Sequence, residues 1–551
     1  MTQTARIALL QLPAFSLEEA DESLAHTLRR IDEAARERPD IIALPEVTYP
    51  AYFLGRRDLR DCGVLSPAEA AERIASKARE HGVYIAAGLA LDAAESGRAD
   101  SDGRRYTNGA LLFGRDGSIV GRYDKSFLYH FDARWFAAGS AYPVFETDVG
   151  RIGMLVCADG RLPEIARSLT VNGAQLILDL TAWVSGGRNA DRLTSTQREY
   201  IMPVRAVENG VWIACVSKFG VEAESIVYCG RSCFIDARGL VVAELGSTED
   251  ATLVYDVPVA DSAHLPRRPE LYEVLSHPTE SLPVVRTLRE PAVMPESQHP
   301  IAVVQVAMPS TGAEFVTIAR THVERLAMHD AEIVVFPATP SRYRGAYAHD
   351  ETVEAMRGIA ADTGVMIAFT VSEGEGGSGM RAMHLVGPNG IVATHRQTHK
   401  PDGARFATMP IGDAPSPVVN TPTGRIGLMV AAEGYVPEIA RSLMLRGAEI
   451  ILWCADDPGI DMLPFARCRA DENRLWVCAA AAPTERAATV IVDPAGRIAA
   501  QALEGRTLAV TATVNPALSR VKTMAPGTDV VYGRQPASYA ALTEARVATV
   551  I

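Results

Sequence analysis

Residues 151–169 read Arg-Ile-Gly-Met-Leu-Val-Cys-Ala-Asp-Gly-Arg-Leu-Pro-Glu-Ile-Ala-Arg-Ser-Leu. The apolar run that ends at Cys157 predicts a short buried strand, and Pro163-Glu164 predicts the start of a helix, because proline is tolerated in a first helical turn. Backbone N–H groups point outward at such a strand-to-helix turn, where they can stabilise a thiolate or a developing oxyanion. A lone cysteine is more often an inert core residue. The role of Cys157 therefore depends on the rest of the chain.

This segment occurs twice in the chain. Residues 425–443 read Arg-Ile-Gly-Leu-Met-Val-Ala-Ala-Glu-Gly-Tyr-Val-Pro-Glu-Ile-Ala-Arg-Ser-Leu, with Ala431 at the position of Cys157. Other pairs of segments match in the same order: 7–11 with 301–305, 205–209 with 469–473, and 268–272 with 535–539. Self-similarity of this extent predicts two homologous halves of roughly 260 residues each.

Length and repeat together predict the domain organisation. A chain of 551 residues is too long for one hydrophobic core. In each half, buried strands alternate with helices and hairpins, which is typical of a mixed sheet covered by helices. The predicted fold class is α/β, with two tandem α-β-β-α sandwich domains. We place the boundaries at 1–262 for the first domain, 263–298 for an extension and proline-containing linker, 299–514 for the second domain and 515–551 for a C-terminal extension.

Composition excludes several classes of partner. The chain has 54 Lys and Arg against 67 Asp and Glu, and its net charge of −13 argues against a nucleic acid or an anionic membrane as partner. The eight cysteines are scattered, and Cys229 and Cys233 lack a second pair or nearby histidines, so no metal site is predicted. We see no signal peptide and no apolar run near 18 residues, and therefore expect a cytoplasmic protein.

The first half resembles the carbon–nitrogen hydrolase, or nitrilase, superfamily. The resemblance covers some 210 residues and is carried by four motifs in the same order: Leu44-Pro-Glu46, Tyr123-Asp-Lys125, Cys157-Ala-Asp-Gly-Arg-Leu-Pro-Glu164 and Arg205-Ala-Val-Glu-Asn209. Each motif alone is weak, but their order and spacing make the combination specific. The resemblance implies two nitrilase-like sandwich domains in tandem.

The resemblance also implies the catalytic residues. Glu46 would be the general base, Lys125 the electrostatic and acid partner, and Cys157 the nucleophile, with Lys125 and the backbone N–H of Ala158 as the oxyanion hole. The residue types suit the chemistry, because amide and nitrile carbons are poor electrophiles and a thiolate divides the reaction into two easier steps. A cysteine with an ordinary pKa of about 8.5 needs activation, which a nearby cation and carboxylate can supply.

One auxiliary position departs from the family pattern. Many members carry a glutamate in the segment that corresponds to 132–139, and by spacing Asp132 fills that place with a side chain one methylene shorter. Asp132 is therefore expected either to orient Lys125 and the attacking water or simply to form a turn. Candidates for substrate binding are Tyr49, Tyr129, His130, Trp135, Arg161 and Trp183. Arg161 would pair with a carboxylate of the substrate or with Glu164.

The second half lacks the catalytic residues. Ala338, Gln397 and Ala431 stand at the positions of Glu46, Lys125 and Cys157, so this half is expected to be non-catalytic. The segment Cys454-Ala-Asp-Asp457 aligns with the strand after the nucleophile rather than with the nucleophile itself. We expect this half to pair with the first within one chain, as an internal pseudo-dimer that can also assemble further into a homo-oligomer.

The sequence therefore predicts a cofactor-free cysteine amidohydrolase, acting through a thioester and releasing ammonia from a small amide or N-carbamoyl compound. Nitrile-hydrolysing members typically have Cys-Trp-Glu at the nucleophile, whereas this chain has Cys157-Ala-Asp159. Three alternatives stay open: a true nitrilase, an acyl transferase that passes the thioester to an amine, and a non-catalytic scaffold.

Overall fold

The computed structural model describes residues 3–54, 58–96, 104–263, 267–290, 297–339, 349–373, 379–400, 409–456 and 459–544. The chain forms two compact units. The first unit comprises Met1–His264 with Thr523–Leu542, and the second comprises Leu265–Lys522 with Thr543–Ile551. The first unit therefore includes Thr523–Leu542, which follows the second half of the sequence. The second unit begins at Leu265, in the segment that follows the first half.

Strands of the first unit, in chain order, are β1 (Gln3–Gln11), β2 (Ile41–Ala43), β3 (Tyr84–Asp92), β4 (Tyr106–Phe113), β5 (Ile119–Asp124), β6 (Val144–Thr147), β7 (Gly150–Val156), β8 (Leu176–Thr181), β9 (Trp212–Ser217), β10 (Phe219–Glu222), β11 (Ile226–Cys229), β12 (Cys233–Ile235), β13 (Val241–Glu244) and β14 (Ala251–Val259). Its helices up to that point are α1 (Ala20–Ala35), α2 (Pro67–His81), α3 (Asp132–Trp135), α4 (Pro163–Val171) and α5 (Met202–Asn209).

Two six-stranded sheets form the middle of this unit. Their strand orders are β14-β1-β2-β3-β4-β5 and β13-β12-β9-β8-β7-β6, each with three parallel strands at its centre. Helices α1 and α2 pack on the first sheet, α4 and α5 pack on the second, and the sheets contact each other through β1 with β9 and β4 with β7. The unit is therefore the predicted α-β-β-α sandwich.

The second unit repeats this plan. Its strands are β15 (His299–Gln305), β16 (Ile333–Val335), β17 (Met366–Glu373), β18 (Met380–Gly387), β19 (Gly390–Arg396), β20 (Val418–Thr421), β21 (Gly424–Val430), β22 (Ile450–Cys454), β23 (Trp476–Ala480), β24 (Val490–Val492), β25 (Ile498–Gln501) and β26 (Leu508–Val514). Its helices are α6 (Pro283–Arg289), α7 (Gly312–Ala327), α8 (His349–Thr363), α9 (Pro437–Leu445) and α10 (Met462–Asn473). The sheet orders are β19-β18-β17-β16-β15-β26 and β20-β21-β22-β23-β24-β25.

The segment Thr523–Leu542 adds to the first unit β27 (Thr523–Ala525), β28 (Thr528–Asp529) and most of α11 (Ala540–Thr543). All eight cysteines are free. Along the described part of the chain, no helix is both long and apolar enough to cross a membrane.

The predicted strand-to-helix turn is present in both units. Strand β7 ends at Val156, a 3-10 turn spans Cys157–Arg161, and α4 begins at Pro163. Cys157 has φ of 48°, and Ala431 at the equivalent position has φ of 49°. Residues other than glycine rarely adopt positive φ, because their Cβ clashes with the backbone. The second unit has thus kept the strained turn although it has lost the cysteine.

Candidate active site

A buried aspartate holds the turn at Cys157. The carboxylate of Asp159 accepts hydrogen bonds from the backbone N–H groups of Val156 (3.0 Å) and Phe127 (2.8 Å) and from the hydroxyl of Tyr123 (2.7 Å). These bonds satisfy a fully buried carboxylate. They also tie the nucleophile turn to the segment that follows Lys125.

Lys125 lies between two carboxylates. Its Nζ atom is 2.6 Å from Oε1 of Glu46 and 2.6 Å from Oδ2 of Asp132, and all three side chains are at most 1% exposed. The side-chain amide of Asn108 donates to Glu46 (2.6 Å) and to Asp132 (3.3 Å). Because a buried charge is costly unless it is paired and hydrogen-bonded, this arrangement fixes all four side chains.

The turn that carries Glu46 is held from two sides. The buried ammonium of Lys218 donates to the backbone carbonyl of Val47 (2.7 Å), a residue with φ of 37°. On the opposite side, Gly88 in β3 accepts from the N–H of Thr48 (2.7 Å). A Cβ atom at Gly88 would lie 2.3 Å from the carbonyl oxygen of Pro45, so only glycine fits there.

Electrostatics keep Lys125 charged. Burial alone would lower the pKa of its ammonium, but the carboxylates of Asp132 and Glu46 outweigh burial and hold that pKa well above its ordinary value. The site therefore contains a permanent cation beside Cys157.

Electrostatics act in the opposite direction on the nucleophile. Burial raises the pKa of the Cys157 thiol well above its usual range, and the carboxylate of Glu46 raises it further. The Lys125 ammonium and the Thr181 hydroxyl lower this pKa but only partly offset the increase. The resting cysteine is therefore a neutral thiol at neutral pH, and the nearby cation alone does not activate it.

Asp179 lies behind the nucleophile. Its Oδ1 atom accepts the backbone N–H of Cys157 (3.0 Å), and the residue is fully buried. Burial raises the pKa of this carboxyl well above its usual value, although the hydrogen bond from Cys157 opposes the shift. Asp179 thus fixes the Cys157 backbone, and burial disfavours a second negative charge beside the sulfur.

Glu46, Lys125 and Cys157 form part of the wall of a small pocket. It is lined by Glu46, Tyr52, Lys125, Tyr129, Cys157, Arg161, Ala182, Val184, Ser195 and Gln197. The structure thus brings five of the residues expected from the sequence to one pocket, namely Glu46, Lys125, Cys157, Tyr129 and Arg161. Asp132 lies directly behind Lys125, and Ala158 follows Cys157 in the turn.

The other substrate-binding candidates lie elsewhere among the described residues. Tyr49 is in the core under α1 and α2, where its hydroxyl donates to the carbonyl of Leu65. Trp135 belongs to an aromatic cluster with Phe53 and Phe131. His130 and Trp183 are also outside the residues that line the pocket. Trp183 is fully buried, whereas His130 lies in the loop that joins Lys125 to Asp132.

Sequence reasoning missed several residues of the site. Asp179 and Asn108 had a usable signal, because a polar residue inside an otherwise apolar strand is a candidate for a buried functional group. Tyr52, Ser195 and Gln197 come from loops and a π-helical turn whose positions no local pattern reveals. Gln197 donates to the backbone carbonyl of Cys157 (2.7 Å) and thereby supports the turn.

The strand register identifies the residues of the second unit that stand at site positions of the first. Cys454 pairs with Val430 as Leu180 pairs with Val156, which confirms that Cys454 does not occupy the nucleophile position. The preceding residue, Trp453, stands at the position of Asp179. It is fully buried, and its indole N–H donates to the carbonyl of Ala431 (3.0 Å). Asp457, named above with Cys454, lies outside the described residues.

The charged groups of the second unit are also replaced. Arg381 stands where the strand register places Asn108 in the first unit, and its guanidinium donates to Gln397 (3.0 Å) and pairs with Asp456 (3.1 Å). Ala338 supplies no carboxylate. Among the described residues, an uncharged glutamine thus stands at the position of Lys125, and an arginine paired with an aspartate stands at the position of Asn108.

Comparison with known proteins agrees with this architecture. The family model for carbon–nitrogen hydrolases matches residues 6–267 and 300–522. The chain belongs to this family, and both halves are members. It is a hydrolase that acts on carbon–nitrogen bonds other than peptide bonds.

Several relatives and solved structures similar to this chain are named amidases or hydrolases. A mouse omega-amidase NIT2 is 26% identical over 292 residues, covering 50% of this chain and 98% of that protein. A hydrolase from the pqqF 5' region of Pseudomonas protegens is 31% identical over 292 residues, covering 50% of this chain and 93% of that protein. The crystal structure of an amidase from Nesterenkonia sp. matches 47% of this chain and 92% of that chain, with 26% identity and a TM-score of 0.40.

The raised pKa of Cys157 predicts how its alkylation depends on pH. Only the thiolate reacts, so the iodoacetamide alkylation rate should rise about tenfold per pH unit across the neutral range and show no plateau below about pH 9. Peptide mass spectrometry of a Cys62→Ser variant, which removes the partly exposed thiol, measures this rate. A plateau below pH 7 would show a stable resting thiolate and contradict the electrostatic account.

Proposed function

We propose that the first unit is a cysteine amidohydrolase that cleaves the C–N bond of a small amide or N-carbamoyl compound through a thioester. The observation that carries this proposal is the buried Lys125, paired with Glu46 and Asp132 in the wall of a pocket that also contains Cys157. The residues named below act as proposed catalytic groups.

In the first half-reaction, the proton of the Cys157 thiol passes to Glu46 as the sulfur attacks the substrate carbonyl. A C–S bond forms, and the carbonyl electrons move onto oxygen. Lys125 and the N–H of Ala158 stabilise this oxyanion, at about 3 kcal/mol for a well-placed donor. When the oxyanion collapses, the C–N bond breaks, Glu46 returns the proton to nitrogen and ammonia leaves.

In the second half-reaction, Glu46 removes a proton from water. The hydroxide attacks the thioester, the C–S bond breaks, and the product acid leaves while Cys157 regains its proton. The raised pKa of the thiol supports this assignment, because a neutral thiol needs a base in contact with the pocket. Asp132 acts through Lys125, whose ammonium it holds in place.

The substrate is expected to be small and to carry an anionic group. The pocket leaves about 20 Å³ for the centre of a water-sized sphere, so its walls must adjust even for a small amide, and a large substrate would require extensive rearrangement. Arg161 lies at this pocket, with its guanidinium 5.6 Å from the ring centre of Tyr129 and 3.3 Å from the hydroxyl of Thr196. A guanidinium can bind a carboxylate through two parallel hydrogen bonds.

Amide substrates are favoured over nitriles for two reasons. The nucleophile segment is Cys157-Ala-Asp159 rather than Cys-Trp-Glu. Several curated relatives are named omega-amidases, from mouse, cattle and frog among others, although one relative from Pyrococcus abyssi is named a nitrilase. Nitrile hydrolysis and acyl transfer to an amine are therefore the alternatives that an assay must distinguish.

The second unit is proposed to be non-catalytic. Trp453 and Arg381 occupy the region where the first unit has its site, which supports this proposal. The intramolecular pseudo-dimer, any further homo-oligomer and the cytoplasmic location stay predictions from the sequence.

Substitution of Cys157 and of Cys454, which is not at the equivalent position of the second unit, tests the assignment. A panel of amides, N-carbamoyl compounds, nitriles and amine acceptors is assayed for ammonia and for products. Cys157→Ala should abolish turnover, Cys454→Ala should retain it, and Glu46→Gln should reduce it by about a thousandfold or more, because base and nucleophile act as a unit. Equal loss from Cys157→Ala and Cys454→Ala would refute the site. Full activity of Cys157→Ala would refute the enzyme class proposed here.

Substitution of Arg161 tests the substrate class. Arg161→Met should raise KM for succinamate about 10- to 100-fold while changing KM for butyramide, its uncharged analogue, by less than about threefold. The matched control is Arg192→Met, which removes an exposed arginine from the segment that leads to Thr196, the hydrogen-bond partner of Arg161. If Arg161→Met affects both substrates equally, the arginine serves the loop structure rather than a substrate carboxylate.

A further inference from the structure

The segment Thr523–Leu542 belongs to the first unit, although the whole of Leu265–Lys522 separates it in sequence from Met1–His264. It contains β27, β28 and α11 and follows the non-catalytic half. Such a segment would ordinarily be regarded as a dispensable C-terminal tail. Its contacts indicate otherwise.

Thr528 is bound to the loop that joins Lys125 to Asp132. Its hydroxyl, which is 1% exposed, accepts the backbone N–H of His130 (2.7 Å) and donates to the carbonyl of Leu128 (3.2 Å). His130 has φ of 51°, a conformation that a non-glycine residue keeps only when its surroundings hold it. One threonine side chain thus completes the hydrogen bonding of a strained loop.

The other side of the same loop faces the catalytic groups. The N–H of Tyr129 donates to Oδ2 of Asp132 (2.8 Å), and the N–H of Asp132 donates back to the carbonyl of Tyr129 (3.0 Å). Oδ2 of Asp132 is also the atom that contacts Lys125. Tyr129 itself lines the pocket. The position of Asp132 therefore depends on the backbone that Thr528 holds.

Further contacts anchor the segment on both sides of the nucleophile turn. Gly533 packs so closely on Phe127 that a Cβ atom would lie 2.6 Å from its ring. The buried guanidinium of Arg534 pairs at 3.8 Å with Glu164 in the first turn of α4, the helix that follows Cys157. The ring of Tyr539 stacks on Tyr142.

We propose that Thr523–Leu542 is a positioning segment of the active site, and that Thr528 is the residue that sets the geometry of the Tyr129–Asp132 loop and hence of Lys125. This inference rests on the proposed function only for its catalytic readout. It assigns a role in the first unit's chemistry to the end of a chain whose second half has no nucleophile.

The second unit provides a matched control within the same molecule. Arg267 precedes the segment that repeats 535–539 and pairs at 3.7 Å with Glu438, in the same way as Arg534 pairs with Glu164. A positional role predicts that the two arginines differ in their effect on turnover, whereas a general effect on stability predicts that they do not.

The test uses the full-length chain. Thr528→Val removes the hydroxyl while keeping the shape of the side chain, and should lower kcat about 10- to 100-fold with a smaller change in KM, because a shift of the catalytic geometry costs rate. Thr528→Ser should restore most of kcat. Hydrogen exchange of peptides covering 127–132 should become faster in Thr528→Val and return towards wild type in Thr528→Ser. This readout needs no substrate and stays valid if the proposed reaction is wrong.

Two controls make the result decisive. Thr511→Val makes the same change at an exposed position outside the segment and should leave kcat and exchange unchanged. Arg534→Met should lower kcat, whereas Arg267→Met should not. Wild-type kcat and exchange in Thr528→Val would overturn the proposal, as would equal losses in Arg534→Met and Arg267→Met. If Thr528→Val does not fold, the arginine pair and Thr528→Ser decide the question alone.

Discussion

The contact between the Lys125 ammonium and the two carboxylates of Glu46 and Asp132 is the interaction on which the catalytic unit depends. The ammonium lies 2.6 Å from each of the two carboxylates, and all three side chains are buried away from water. Burying them is costly, so the fold must supply hydrogen bonds on every side. Asn108, the N–H of Tyr129 and the lysine itself supply those bonds. Much of the surrounding architecture serves to hold this cluster.

This cluster explains why the elements around it are so constrained. The sharp turn after β2 presents Glu46 and is held by Lys218 on one side and Gly88 on the other. The loop after β5 presents Asp132 and is held by Thr528. The turn after β7 presents Cys157 and is held by Asp159 and Asp179. Three loops from two sheets therefore converge on one ammonium group.

The second unit shows what the same fold requires without this cluster. Alanine, glutamine and alanine stand at the positions of Glu46, Lys125 and Cys157. Arg381, which pairs with Asp456, and Trp453 stand at the positions of Asn108 and Asp179. The strained turn at Ala431 persists, because the strand-to-helix geometry imposes it independently of the nucleophile. The strand-to-helix turn of this fold is thus kept even where the residues proposed for catalysis are absent.

Much of this was accessible from the sequence. Apolar runs and proline positions predicted β7 and α4, and helix α2 (Pro67–His81) likewise has clear end signals in Ser66, Pro67 and Gly82. The repeat predicted two α-β-β-α sandwiches. The sequence did not reveal that Thr523–Leu542 completes the first unit, since segment pairing across more than 250 residues leaves no local pattern. It also placed Tyr49 and Trp135 among the pocket candidates, although packing puts both in apolar clusters.

The sequence predicts that a nearby cation and a carboxylate activate Cys157, and in the structure these two groups act on the pKa of its thiol in opposite directions. Lys125 does lower the pKa of the thiol, but burial and Glu46 raise it by more. Burial depends on tertiary packing and cannot be read from a motif. The consequence is chemical, because it assigns deprotonation of the cysteine to Glu46 during the reaction rather than to a preformed thiolate.

Trapping the covalent intermediate tests the central claim most directly. Full-length protein is mixed with an amide that it turns over, quenched with acid within milliseconds, digested and measured by peptide mass spectrometry. The account predicts the mass of the acyl group on the peptide that contains Cys157, none on the peptide that contains Cys454, and decay of the adduct at the rate of acid formation. Turnover without any adduct on Cys157, or an adduct that forms on Cys454 instead, would contradict it.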